Sequence, residues 1–174
     1  MKGVVRSLTI VFFMFAFMGA PLASAQMSFF EFLHNQQIGK AAPDFTLKNL
    51  KGEDTNMTKM RDGKNAIIFF WATWCPHCRV ALKGLNRDHL EIEQKGIRII
   101  LVDVGEESEE VITHARNNQL AMDVLLDSDN SVSEKYGVVG VPTFIFVSQD
   151  GKIRGVEHSL PRDYEKLFAA PKKK

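Results

Sequence analysis

The sequence predicts an α/β domain with a mixed, mainly parallel central sheet flanked by helices and preceded by an N-terminal β segment. Three observations predict it. Residues 66–72 form an apolar β-type run with no polar alternation, the pattern of a central strand buried on both faces. From there to residue 147, β-type runs alternate with helical segments, the order that builds parallel sheets. Asp150-Gly151 then marks a hairpin, which adds antiparallel strands at the end of the chain.

Taken in order, the chain opens with a targeting pattern. Lys2 and Arg6 precede an apolar run over 8–18, and Ala23-Ser24-Ala25 is an A-x-A cleavage pattern before Gln26. The run is short for a bilayer-spanning helix of about 20 residues. Residues 1–25 therefore read as a cleavable signal, and an uncleaved anchor is the alternative that would bring the chain to a membrane. Cleavage after Ala25 removes two basic residues and takes the formal charge from +1 to −1. Residues 26–41 are an extension or linker, with Phe29, Phe30, Phe32 and Leu33 as one possible amphipathic turn. The domain spans 42–170, and 171–174 is a basic tail. The 174 residues suffice for one domain with a substantial core. Balanced charge gives no sign of nucleic-acid binding, and three terminal lysines are too few to indicate a membrane or polyanion.

Within the domain, 45–47 is a short strand and 44–57 a hairpin or irregular β segment around the Lys51-Gly52 turn. The buried strand 66–72 leads to a helix over 75–95. Pro76 fits its first turn, where the missing N–H costs nothing, and Lys95-Gly96 stops it. Val80, Leu82, Leu85, Leu90 and Ile92 are its candidate inward residues. Residues 97–104 form a second apolar strand, ending at Asp103. Ser108 is the expected cap of the next helix, with Glu109 and Glu110 in a first turn that favours negative charge, and the helix runs to about Asn117. A strand over 122–126, a turn over 127–130 and a short helix over 132–136 follow. Strands at 144–147 and 153–157 flank the hairpin turn, and 161–168 forms a final helix.

The chemistry concentrates at Cys75-Pro76-His77-Cys78, which holds the chain's two cysteines. Such a pair can be half of a zinc site, a haem attachment site or a redox pair. Structural zinc needs four ligands, and no second Cys or His pair exists; the other histidines, His34, His89, His114 and His158, are scattered singly. Haem attachment requires His after the second cysteine, where this chain has Arg79. Thiol ligation of Cu(I) stays open. A disulfide closing so short a loop removes little chain entropy, which argues against a merely structural bond. Redox exchange is the leading reading, and export agrees with it, since disulfides persist outside the cytosol.

The chain resembles the thioredoxin superfamily, and within it the exported TlpA/ResA-like thiol–disulfide oxidoreductases, over about residues 42–168. The resemblance rests on Ala42-Pro43-Asp44-Phe45-Thr46-Leu47, on Phe70 to Cys78, on the stretches Leu125-Leu126-Asp127 and Tyr136-Gly137-Val138, and on Gly140-Val141-Pro142-Thr143-Phe144 followed by Asp150-Gly151. It implies a thioredoxin-like fold carrying an inserted βα unit. It also implies Cys75 as attacking nucleophile at a helix N-terminus, where the dipole favours thiolate, and Cys78 as the resolving thiol. Pro142, expected cis, would set the Val141 backbone beside Cys75, and Trp74 would contact the partner. Pro76 and His77 would tune the thiolate, because a donor beside it stabilises the reduced form. Three positions depart from the family pattern. Many thioredoxins carry a buried Asp where this chain has Phe69, the Glu common in ResA-like reductants is Ala81, and a helix-kinking Pro is Lys83.

The expected activity is exchange with protein thiols and disulfides, as a reductant kept reduced by a membrane electron donor of the thiol-reductase type, with no cofactor and no metal. The expected place is the periplasm. A disulfide-donating oxidase is the alternative suggested by His77, although 104–141 is too short for the helical insertion of the strong periplasmic oxidase. A thioredoxin-fold copper chaperone or a redox-inert partner module is the alternative from the binding class. A thiol peroxidase fits less well, because Cys75 lies in Cys-x-x-Cys beside Trp74 rather than in a Thr-x-x-Cys setting.

Overall fold

The computed structural model describes residues 37–169. The expected signal, the apolar turn within 27–34 and the basic tail lie outside the described residues. The elements are β1 (Thr46–Asn49), β2 (Asp54–Asn56), α1 (Met57–Arg61), β3 (Asn65–Trp71), α2 (Pro76–Gln94), β4 (Ile97–Val104), α3 (Ser108–Asn117), β5 (Val124–Asp127), α4 (Ser131–Lys135), β6 (Thr143–Val147) and β7 (Ile153–Glu157), followed by a 3-10 turn over Tyr164–Phe168.

The strands form one seven-stranded sheet in the order β2-β1-β5-β4-β3-β6-β7. Among the described residues the sheet is mixed as expected but not mainly parallel, because both of its flanks are built by antiparallel pairing: two strand pairs are parallel and four antiparallel. Its parallel part is the central set β3, β4 and β5, and the outer pairings on both sides are antiparallel. β3 lies between β4 and β6, so both of its edges are paired, and a core packs on each of its faces, which is why it tolerates no polar alternation. Ile67, Phe69 and Trp71 point into a core shared with α2, α3 and the 3-10 turn. Ala66, Ile68 and Phe70 point into a second core with α1 and α4. Phe69 stacks on Phe144 of β6, ring centroids 4.3 Å apart and planes 16° apart.

Several local expectations are corrected. In α2, Leu82, Leu85 and Ile92 are buried, but Val80 and Leu90 are 75% and 62% exposed. They sit off the 3.6-residue stripe that meets the sheet, on the side of α2 that faces away from it. Asn56, not recognised as a cap, starts the short α1 by accepting from the Lys59 N–H at 3.0 Å. Glu107 rather than Ser108 occupies the N-cap of α3, and its side chain makes no capping bond. The final helix is only the 3-10 turn Tyr164–Phe168, because residues 158–163 are spent in loop. Residues 37–42 are tied to the domain. Gly39 N–H donates to Ile153 O at 2.7 Å, Ala42 N–H to Gly151 O at 2.8 Å, and the Gln37 amide to Tyr136 O at 2.7 Å.

Candidate active site

β3 ends at Trp71, and the chain turns through 72–75 into the N-terminus of α2. Cys75 is the N-cap residue, and its sulfur accepts the Cys78 N–H at 3.2 Å. Pro76 opens the helix, as its fixed φ and missing donor permit. The two cysteines are disulfide-bonded, with Cα atoms 5.2 Å apart. Cys75 is 4% exposed and Cys78 is not exposed at all, so what access the pair has is through Cys75.

The loop before β6 closes over this point. The Val141–Pro142 peptide is cis, and Val141 O lies 3.7 Å from Cys75 Sγ. Thr143 Oγ1 donates to Gly140 O at 2.7 Å. His158 Nδ1 lies 2.9 Å from Pro142 O, so that nitrogen carries the proton, since a carbonyl only accepts. Trp74 projects into solvent at 67% exposure, and His77 is exposed beside it. A groove of about 810 Å3 runs from His77 and Pro142 along α2, past Val80, Ala81 and Gly84, to His158 and Leu160. Every residue expected at the site thus lies at one end of the sheet, around the Cys75 sulfur or on its rim. Among the described residues, no group of three His, Cys, Asp or Glu side chains is placed to hold a metal.

Sequence reasoning missed the residues behind the loop. Glu106, buried just past β4, accepts the Thr73 N–H and the Thr73 hydroxyl, both at 2.5 Å. Arg79 Nη1 reaches Thr73 O at 3.4 Å, and the Cys75 N–H donates to Ala72 O at 3.3 Å. Asp103, register partner of Trp71, is fully buried. Burial, helped by Glu106, Glu110 and Asp127, pushes its carboxyl up to about 9. His114 of α3 faces the Trp71 ring at 5.5 Å; burial and the Arg79 charge hold its imidazole below the usual range. The signal available in the sequence was an acid at the end of an otherwise apolar strand.

Residues 38–156 match the AhpC/TSA family. The chain belongs to the AhpC/TSA family. Within this thioredoxin-fold family, it is a thiol–disulfide oxidoreductase of the ResA type. Thiol-disulfide oxidoreductase ResA of Geobacillus thermodenitrificans is 31% identical over 119 residues, 68% of each chain. ResA of Bacillus thuringiensis is 30% identical over 135 residues, 78% of each chain. Among solved structures, the thioredoxin domain of a thiol-disulfide oxidoreductase from Bacteroides vulgatus superposes with a TM-score of 0.64 at 28% identity, covering 75% of this chain and 92% of that one. A structure described as thiol:disulfide interchange protein DsbE from Chlorobium tepidum gives a TM-score of 0.67 at 25% identity, with the same coverage. The AhpC/TSA match spans both the thiol motif and the cis-proline loop, so the family assignment and the site geometry concern the same residues.

Proposed function

We propose that this chain is an exported oxidoreductase whose Cys75–Cys78 dithiol reduces disulfides in protein substrates. The observation that carries the reading is the asymmetry of the pair. Cys75 Sγ sits on a helix N-cap beside Val141 O and keeps a little exposure, while Cys78 is fully buried one turn on. In the reduced enzyme, the α2 N-terminus and the Cys78 N–H stabilise a Cys75 thiolate. The thiolate attacks one sulfur of the substrate disulfide, forming a mixed disulfide as the other substrate sulfur leaves as thiolate. Cys78, after losing its proton, attacks Cys75 Sγ. The second substrate thiol departs, and the Cys75–Cys78 bond forms. Two electrons pass to the substrate, and a membrane donor of the thiol-reductase type restores them.

Val141 offers backbone to an extended substrate strand, and Trp74 offers apolar contact. Pro76 and His77 tune the thiolate. The A-x-A pattern at Ala23-Ser24-Ala25 supports export to the periplasm. In cells, Cys78→Ser should accumulate mixed disulfides through Cys75, and Cys75→Ser should yield none; equal trapping by both variants overturns the assignment. A second reading, disulfide donation, is favoured by the exposed His77 next to the nucleophile. A predominantly oxidised pool in cells supports donation, and a predominantly reduced pool supports reduction.

A further inference from the structure

The loop that delivers Cys75 is held from behind by a carboxyl group. Glu106 takes two donors from Thr73, one with each oxygen. Its own position is set by a tight turn. Gly105 has φ +73°, and a Cβ there would meet Asn130 Oδ1 at 2.8 Å. Ser128 Oγ adds a bond to Glu106 O at 3.0 Å.

Asp103 ends the register of β4 with β3, opposite Trp71, which lies two residues before Thr73. It is 0% exposed, and among the described residues neither of its oxygens meets a donor. Only Val104 and the Gly105 turn separate it from Glu106, and burial first, then a hydrogen bond with Glu106 and the Glu106 charge, raise its carboxyl. Two carboxylates cannot bond to each other, since neither has a hydrogen to give. One proton resolves the conflict. Both Glu106 oxygens already accept from Thr73, so Asp103 carries the proton and donates to Glu106. The other charged and titratable groups around the pair do not supply this need. Glu110 and His114 face it from α3, and Asp127 from the end of β5. Asp127 is engaged with the Val132 and Ser133 N–H groups at 3.0 and 2.7 Å. Arg79, on α2, is directed to Thr73 O. Burial without a cation holds Asp103 neutral, and the carboxyl ionises near 9.

We infer that Asp103 and Glu106 form a one-proton carboxyl pair that positions the Cys75 loop, Glu106 gripping Thr73 and Asp103 supplying the hydrogen that lets the two buried acids lie side by side. Both are positioning residues, since they act on Cys75 through Thr73. Loss of the Asp103 proton sets two negative charges side by side. The grip on Thr73 then loosens, and the surroundings of Cys75 become more negative, which disfavours its thiolate. The effect on the thiol rests on Cys75 being the nucleophile; the pair and its grip do not.

The test therefore begins with the oxidised full chain, in which no exchange reaction occurs. Carboxyl carbon resonances and the Thr73 amide proton are followed by NMR from pH 5 to pH 10. The expected result is a protonated Asp103 at pH 7 that titrates near pH 9, with the Thr73 amide shift breaking at the same pH. Glu106→Gln should move the Asp103 titration toward the ordinary carboxylate range. In the reduced protein, the pH profile of Cys75 alkylation by iodoacetamide should show a second break at the Asp103 titration. Asp103→Asn should keep the neutral-pH rate within about twofold, because the amide also donates, and should lose the second break. An Asp103 that titrates near 4, or a Thr73 amide indifferent to its titration, overturns the pair; both readings come from the wild-type protein and need no variant to fold. Alkylation profiles identical in wild type and Asp103→Asn overturn the link to the thiol. An inert Cys75 beside a correctly titrating Asp103 counts against the proposed nucleophile and leaves the pair established.

Discussion

The buried Asp103 carboxyl has a thermodynamic consequence that can be measured without any substrate. Its folded-state ionisation lies near 9, against 3.8 for an unperturbed Asp. Between those values the folded chain keeps a proton that the unfolded chain has lost. Unfolding free energy therefore falls with rising pH, by about 1.4 kcal/mol per pH unit for one proton. The contribution is fully present below about pH 4 and is gone above about pH 9. Asp103→Asn removes the proton and keeps a donor toward Glu106. From pH 5 to pH 8, three units, the stability of wild type relative to Asp103→Asn should drop by at most about 4 kcal/mol. Urea unfolding of both proteins at pH 5, 6.5 and 8, with the disulfide intact, gives the difference. Taking the difference cancels the surface carboxylates such as Asp44, Asp129, Asp150 and Asp163, which are shifted downward by hydrogen bonds with opposite sign. A difference that stays constant within about 0.5 kcal/mol over this range would refute a neutral buried Asp103.

Four further outcomes are expected. Phe69→Ala removes a fully buried ring stacked on Phe144 and should cost about 3–5 kcal/mol in chemical denaturation. Asp127→Ala strips the Val132 and Ser133 N–H groups of their acceptor and should cost about 1–3 kcal/mol, with hydrogen exchange increasing first in α4. Gly84→Ala places a Cβ in open space within α2 and should stabilise the fold by about 0.5–1 kcal/mol, read as a higher urea midpoint at unchanged slope. Trp74→Ala should leave stability within about 0.5 kcal/mol, because the side chain is largely exposed, while slowing reduction of a folded protein disulfide more than reduction of a small-molecule disulfide.

Much of this protein was determined by local sequence. The unbroken apolar run before Cys75 required a strand covered on both sides, and β3 has that place. Pro76 and the two-residue spacing put both sulfurs on the first turn of a helix, because a proline ring fits there at no cost. Asp150-Gly151 specified the β6–β7 turn through the positive φ that Gly151 adopts. Tertiary structure decided the rest. The expected burial of Val80 and Leu90 failed because the side of a helix that meets solvent depends on which neighbours arrive, and neighbours are distant in sequence. The acid behind the active site was illegible for the same reason. Asp103 and Glu106 lie some 30 residues beyond Thr73, and only the parallel pairing of β3 with β4 brings them together. A periodicity can place a residue on a strand. Burial, and with it the charge a carboxyl can hold, is a property of everything packed around it.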